Sequence, residues 1–470
     1  RPRLRITTWL DQISMTTKNS DVTLDILDSS PRSDTARPRL LIRIRVIFFM
    51  DFLVLMAVLF GSILIRFGTE WPKSFASYLV GFIVASSLHL LVYYFGEIYE
   101  LAPRIGAKLW LPKITALTTI AVLIEATAAL ITGYYLMPRG NLLLLWIFGS
   151  LGVTFNRWLS SQARTRRYGT PKVLLVGSKT DIGLGKEHIK ECGSSLEIIG
   201  ETNTTSYLSS EIEVRQATDV LLLTSGLLSE IYPNPLEDLE QRRVGVFQQI
   251  LPSDTLLGIR RSIQIAGMPF APLRAHALST SRSHFKIFTE YIYLILLIAP
   301  VLILTLFTAA YIRIVAGQGI VHRQERVGKF GSPFYMLKFR TMQKDAEELT
   351  GIVKAQKDDP RIIPGLKWIR RSRLDELPQF INVLKGEMSI IGPRPERPDF
   401  TEEYETLIPG YGRRHDIPPG ITGLAQVSGH YHTDPSYKLG HDLQYLVNWS
   451  PILDFQILAR TLWVVSVGRS

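Results

Sequence analysis

The chain has 470 residues, 46% of them hydrophobic, and a formal net charge of +11. That excess points to anionic partners, but the basic residues form no stripe with interleaved aromatics and no DNA- or RNA-binding motif is present, so the expectation is anionic lipid and phosphorylated substrates, with no nucleic acid. The only cysteine, Cys192, excludes an intrachain disulfide and a four-cysteine metal site, and favours a reducing compartment.

In chain order, residues 1–38 are polar and read as a mobile cytoplasmic tail with no apolar core of a secretory signal. Four apolar runs follow, Val46 to Ile65, Phe75 to Phe95, Ile114 to Met137 and Leu142 to Ser161, each near the ~20 residues that cross a bilayer. Arg37, Arg39, Arg43 and Arg45 precede the first, Arg104, Lys108 and Lys113 lie between the second and third, and Arg164, Arg166, Arg167 and Lys172 follow the fourth. Only Arg66, Lys73 and Arg139 lie on the opposite side, so both ends are expected in the cytoplasm. Residues 39–163 are therefore read as a four-helix transmembrane bundle. Glu125, in its third run, suits a helix–helix contact or a short water-accessible site better than catalysis.

Residues 164–275 alternate short aliphatic runs ("KVLLVG", "LEIIGE", "DVLLLT", "VGVFQQIL") with helical stretches, the pattern of buried parallel strands in a Rossmann-like α/β domain. Gly177, Gly183 and Gly185 do not have the dinucleotide-binding spacing. A structural, regulatory or association role, homodimerisation included, fits that departure better than nucleotide binding. A fifth apolar run, residues 287–312, is long enough to span, yet Pro300 interrupts it and both flanks are basic (Arg282 and Lys286; Arg313 and Arg323). A re-entrant helix that enters and leaves by the cytoplasmic face fits this charge pattern, and keeps residues 283–470 in the cytosol.

That last segment contains "RRSRLDELPQFINVLKGEMSIIGPRPE", with Asp375 and Glu376 adjacent between arginines and Pro378. Proline is tolerated only in a helix's first turn, so a helix is expected to start just before Pro378 and end at Gly386, with both acids at its N-terminus. Taken alone, the pair reads as capping, with Ser372 and Asp375 as a box-like pair, or as catalysis.

Five ordered blocks, "VHRQERVGKFG" (321–331), "YMLKFRTM" (335–342), "DDPRI" (358–362), "LDELPQFINVLKGEMSIIGPRPE" (374–396) and "PPGITGLAQVSG" (418–429), resemble the bacterial polyprenyl-phosphate hexose-1-phosphate transferases. The bundle and the α/β segment resemble the long-form members. The resemblance implies a monotopic phosphoglycosyl transferase of the inner (cytoplasmic) membrane that moves hexose-1-phosphate from a nucleotide diphosphate sugar, UDP-glucose or UDP-galactose, to undecaprenyl phosphate. The product would start exopolysaccharide, capsule or O-antigen synthesis. It implies Asp375 as nucleophile of an aspartyl phosphosugar intermediate, Glu376 as its partner, Mg²⁺ held by both acids, and substrate contacts from Lys338, Arg370, Arg394 and Asp442. The prolines around Arg394 suit it to bidentate phosphate contact.

Departures from the family pattern are Arg373 in place of Ser or Thr, His430 in place of Arg, and Ala299 in place of Ser before Pro300. Two other readings compete. A membrane-bound NAD-dependent sugar-nucleotide dehydratase would need a helical Tyr-x-x-x-Lys, for which only Tyr168 to Lys172 offers itself, across Gly and Pro. A non-catalytic scaffold of polysaccharide assembly would be favoured by loss of the acid pair, and both acids are present.

Overall fold

The structure is a computed structural model that describes residues 36–68, 75–100, 105, 110–133, 139–193, 196–251, 254, 262–273, 278–343, 359–428 and 434–467. Two compact units divide the chain, Arg1–Ala275 and His276–Ser470. Residues 1–35 of the expected tail lie outside the described residues, and residues 36–38 are already helical.

The first unit opens with α1 (Ala36–Phe67), α2 (Phe75–Phe95) and α3 (Trp110–Thr132). In α4, Arg139–Leu144 runs through a π turn at Leu145–Gly149 into Ser150–Tyr168. Each carries a stretch long and apolar enough to cross a membrane. Leu55 and Leu59 of α1, Phe82 and Tyr93 of α2, Ile114 of α3 and Leu145 and Val153 of α4 share one core. Ile65, Leu130 and Ile131 stay exposed, so the helices are apolar outside as well as inside, as lipid requires. Their interior is polar in places: Asp51 of α1 accepts hydrogen bonds from Tyr99 (2.9 Å) and from Asn156 and Arg157 of α4. Glu125 of α3 meets His89 of α2 at 3.3 Å, a helix–helix contact. Tyr168 ends α4, Gly169 turns out of it at φ 72°, and Lys172 opens a strand, so the Tyr-x-x-x-Lys does not share a helix.

The α/β part of this unit runs β1 (Lys172–Val176), α5 (Lys179–Glu191), β2 (Glu197–Thr202), α6 (Leu208–Arg215), β3 (Asp219–Leu222), α7 (Leu227–Ile231), α8 (Leu236–Gln241) and β4 (Gly245–Gln249). A hairpin, β5 (Ile263–Ile265) and β6 (Met268–Leu273), completes a six-stranded sheet of order β2-β1-β3-β4-β6-β5. β1 to β4 are parallel, and the hairpin is antiparallel, which corrects the expectation of parallel strands alone. Pro269 and Pro272 hid β6 from a sequence reading. Its turn is made by Ala266 and Gly267, both at positive φ, the geometry that suits a two-residue hairpin. Gly185 is small for packing: a Cβ there would lie 2.8 Å from Leu223 on the sheet. Asp181 sits in the first turn of α5, accepting from Ser178 Oγ at 2.8 Å and from Thr224, so a carboxylate occupies the end where a Rossmann fold would hold pyrophosphate.

The second unit begins with α9 (Thr280–Ala316). Contrary to the expected break, Pro300 lies inside this one helix, and removes only the N–H that would reach the carbonyl of Leu296. Both ends of α9 pack on the second unit. Lys286 Nζ donates to the Ile391 carbonyl (2.8 Å) and to Glu290 (2.7 Å), while Ile312 is buried with Phe339, Leu366 and Ile369. Between these ends Ile295, Leu296, Ile303, Leu306 and Phe307 are exposed.

After α9 come the hairpin β7 (Val321–Val327) and β8 (Pro333–Phe339), α10 (Lys367–Arg371), a 3₁₀ turn Leu374–Glu376, α11 (Gln379–Leu384) and β9 (Ser389–Ile391). Next are α12 (Pro398–Leu407), a 3₁₀ stretch Tyr411–Asp416, β10 (Gly420–Thr422), α13 (Leu424–Ser428), α14 (Pro435–Asn448) and α15 (Pro451–Val467). β9 and β10 pair in parallel, and the pairing continues as Gly420 N–H donates to the Pro393 carbonyl at 2.8 Å. The backbones approach so closely that a Cβ on Gly420 would strike the amide nitrogen of Gly392. Gly420→Ala should therefore cost more than about 2 kcal/mol of stability and displace the Pro393–Arg394 segment, lowering both thermal midpoint and activity. An alanine variant as stable and active as the parent would show that this approach is not required.

Candidate active site

The acid pair sits where the chain leaves α10. Ser372 donates its hydroxyl back to the carbonyls of Trp368 (2.9 Å) and Ile369 (3.1 Å), so it closes α10 and does not form the expected box with Asp375. Arg373 then takes φ 58°, a left-handed conformation rare for a side chain of this size, and turns the chain into the 3₁₀ turn Leu374–Glu376. Asp375 and Glu376 thus lie one turn before Pro378 and α11, not in the helix itself. The expected helix end is in place: Gly386, at φ 77°, follows the last turn of α11.

Both acids are buried, Asp375 at 9% and Glu376 at 7% exposure, and they have different neighbours. Glu376 Oε1 lies 3.0 Å from Arg394 Nη2, 3.4 Å from Lys338 Nζ and 3.5 Å from Arg373 Nη1. Burial alone would raise its pKa, but Arg394, Lys338 and Arg373 outweigh burial and hold it well below the usual carboxylate range. Asp375 has no ion pair or side-chain hydrogen bond among the described residues. Burial first, and the Glu376 charge second, push its pKa up to about 6, against the pull of Lys338, Arg370 and Arg373. The expectation that a helix terminus keeps it low is thereby corrected: α11 is short and begins after it. At neutral pH it is still mainly ionised, now as a more basic carboxylate. Lys338 is lowered to about 8 by burial, with Glu376 opposing.

Each cation is placed by its own support. Lys338 stands on β8, which Asn382 of α11 grips by accepting from Leu337 N–H (3.0 Å) and donating to the Tyr335 carbonyl (2.8 Å). Arg394 leaves β9 between two prolines. Its carbonyl accepts from Arg414 Nη2 at 2.9 Å, and the next carbonyl, of Pro395, accepts from Arg326 at 3.0 Å. Asp442 pairs with Arg414 at 2.9 Å with both side chains buried, so it reaches Arg394 through Arg414. Burial raises the pKa of Asp442 and the Arg414 guanidinium opposes the rise. Arg370, at the end of α10, faces Asp375.

Lys338, Arg370, Arg394, Asp375 and Glu376 are thus brought together, and Asp442 stands behind them. Sequence reasoning missed Arg414, Asn382 and the part of Arg373. A polar residue inside the apolar run "QFINVL" was the available signal for Asn382. Of the other expected features, Asp358 and His430 lie outside the described residues, and Asp359 accepts a two-point contact from Arg361 (2.8 and 2.6 Å).

The donor set bears on whether a divalent cation fits. No group of three or more His, Cys, Asp and Glu gathers among the described residues, so a protein cage is absent from them. A carboxylate without a cation of its own, beside one already neutralised, suits Mg²⁺, which usually takes one or two carboxylates and completes its shell with water and substrate phosphates.

The raised pKa of Asp375 has a consequence for stability. Its ionisation is harder in the folded chain than in the unfolded one, so the cost is absent below the model value of 3.8, grows as pH rises through about 6, and is complete above. Asp375→Asn removes that cost and should raise the thermal midpoint at about pH 7.5 by several degrees, for roughly 2 kcal/mol. The gain should shrink as pH falls below about 6. A midpoint that drops at about pH 7.5 would mean that the ionised carboxylate is held by favourable contacts.

The second unit carries this site, and the family model for bacterial sugar transferases matches residues 281–468. A UDP-glucose:undecaprenyl-phosphate glucose-1-phosphate transferase of Klebsiella pneumoniae is 36% identical over 218 residues, 45% of this chain and 46% of the relative. A UDP-N-acetylgalactosamine-undecaprenyl-phosphate N-acetylgalactosaminephosphotransferase of Aeromonas hydrophila is 42% identical over 168 residues, 35% of this chain and 40% of the relative. An uncharacterized sugar transferase of Bacillus subtilis (strain 168) is 37% identical over 167 residues, 36% of this chain and 80% of the relative. The chain spans under half the length of the first two and most of the third. A buried acid pair ringed by cations, a segment matched from the apolar helix onward, and a relative covered over most of its length together show that the chain belongs to the bacterial sugar transferase family.

Proposed function

We propose that the chain transfers a hexose-1-phosphate from a nucleotide diphosphate sugar to undecaprenyl phosphate, with Asp375 as nucleophile. The observation that carries this reading is the asymmetry of the acid pair. Glu376 is neutralised by three cations, whereas Asp375 keeps an ionisable carboxylate with no cation of its own. In the first step an Asp375 oxygen attacks the sugar-bearing phosphorus, the bond to the bridging oxygen breaks, and nucleoside monophosphate leaves with that electron pair. In the second, an oxygen of the lipid phosphate attacks the same phosphorus and Asp375 departs as carboxylate. Arg394, Lys338, Arg370 and Arg373 supply fixed positive charge where phosphate charge would gather. Mg²⁺ held by Asp375 and Glu376 would neutralise the donor's phosphates when bound. UDP-glucose or UDP-galactose is the proposed donor, glucose being named in the Klebsiella relative, and the product would start exopolysaccharide, capsule or O-antigen synthesis.

The same proposal places α1 to α4 across the bacterial inner membrane, and α9 as a re-entrant helix with the acid pair in the cytosol. Lys286 and Ile312 are 26 residues apart, about 39 Å along a straight helix, enough to put them on opposite sides of a bilayer core of about 30 Å. Yet both rest on the unit that carries the acids, and exposed apolar side chains lie between them. Entry and exit by one face would satisfy both observations, with Pro300 as the place where the helix bends.

Incubation with a panel of nucleotide sugars, Mg²⁺ and undecaprenyl phosphate should release nucleoside monophosphate from one of them. Asp375→Asn and Glu376→Gln should each lower kcat by about 10³-fold or more. Activity should rise with pH through about 6 as Asp375 ionises, and fall past about 8 as Lys338 loses its proton. A parent enzyme inert on the whole panel, or an Asp375→Asn variant with near-parental kcat, would overturn the assignment. For α9, single cysteines near Arg282 and Arg323 in a Cys192→Ser background should react with an impermeant reagent from the cytoplasmic side only. Labelling from opposite sides would contradict re-entry.

A further inference from the structure

The interior of α1 to α4 holds charged and polar side chains that phosphoryl transfer does not use. Those at one end are satisfied. Asp51 is tied to Tyr99, Asn156 and Arg157, and Tyr93 of α2 shares a 2.8 Å hydrogen bond with Thr118 of α3. Beyond them, where α2 meets α3, the bonding is incomplete. His89 is fully buried, as is Ser86 one turn before it, and Glu125 faces His89. Among the described residues Ser86 Oγ, His89 Nε2 and both oxygens of Glu125 have no hydrogen-bond partner. In hydrocarbon each such atom costs several kcal/mol.

The protonation of the histidine follows from its surroundings. Nδ1 lies 3.0 Å from the Ala85 carbonyl and 3.3 Å from Glu125 Oε1, both acceptors, so Nδ1 carries hydrogen. In the neutral ring Nε2 is then a bare lone pair. With Glu125 ionised, the site consists of acceptors with one net negative charge, twelve residues beyond Lys113 and fourteen before Arg139 in an apolar run. The remaining charged groups of the bundle interior, Asp51 of α1 and Arg157 of α4, neutralise each other and leave this charge unbalanced.

We propose that Ser86, His89 and Glu125 form a binding site for one monovalent cation, a proton or an alkali-metal ion, at mid-depth between α2 and α3. The cation balances the carboxylate and gives the orphaned acceptors a partner, which makes the bundle responsive to cations as well as an anchor. The site rests on the reading that α2 and α3 lie in the bilayer.

The test uses the full chain in lipid nanodiscs and sodium-free choline buffer, with dicyclohexylcarbodiimide as probe. A protonated carboxyl adds its O–H across the carbodiimide C=N bond, and the adduct at Glu125 is read by peptide mass. Labelling at Glu125 should slow about tenfold for each pH unit above the site's midpoint, as the protonated fraction falls. If added Na⁺ at fixed pH also slows labelling several-fold, the occupant is an alkali-metal ion in exchange with protons; pH dependence without sodium protection identifies the proton. Ser86→Ala, a small change that preserves the packing, and His89→Gln should both shift the midpoint or weaken the protection. Absence of labelling at Glu125 from about pH 5 to about pH 9, or labelling indifferent to both pH and Na⁺, would overturn the cation site and leave the membrane reading intact. Equal labelling by a water-soluble carbodiimide would overturn the membrane placement and the site with it.

Discussion

Burying two adjacent carboxylates is the constraint on which the second unit depends. Neither acid could stay ionised at low exposure without compensation, and the compensation is unequal. One oxygen of Glu376 faces Arg394, Lys338 and Arg373, whereas Asp375 faces positive charge only at longer range. The result is two carboxylates of different basicity side by side. Much of the surrounding fold holds those cations in place: Asn382 fastens α11 to the strand bearing Lys338, and Arg414 with Asp442 fastens the loop bearing Arg394.

The apolar helix is tied to the same loop. Lys286 and Glu290 of α9 form a buried pair whose ammonium also binds the carbonyl of Ile391, one residue before Gly392 begins the Gly-Pro-Arg-Pro turn. Asp454 of α15 joins the cluster, accepting from Tyr445 at 2.7 Å and Trp449 at 2.9 Å. Removing one partner of a buried pair is costly because the other charge remains. The membrane-facing helix therefore cannot move independently of the arginine that neutralises Glu376.

Long apolar runs and basic flanks made the spanning candidates legible, because hydrocarbon tolerates few other patterns. The acid pair, Lys338, Arg370 and Arg394 were legible because they recur in ordered motif blocks. What sequence could not give was local backbone. Ser372 and Asp375 have the spacing of a capping box, but a left-handed Arg373 redirects the chain between them, and nothing in "RRSRLDE" announces that turn. Asp442 looked like a direct substrate contact, since the intervening Arg414 is distant in sequence and becomes its partner only through folding. Pro300 looked like a helix break, yet one lost hydrogen bond within a long helix does not end it.

The central claim is that the two acids divide their work, with Asp375 forming a bond to phosphorus. The most direct measurement is intact and peptide mass spectrometry of the enzyme after brief exposure to its nucleotide sugar and Mg²⁺, without lipid phosphate, followed by rapid acid quenching. The account predicts one hexose phosphate per chain, on the peptide that contains Asp375, discharged when undecaprenyl phosphate is added before the quench. An enzyme that turns over normally with lipid phosphate yet never carries that mass, with nucleoside monophosphate released only when the lipid is present, would contradict it.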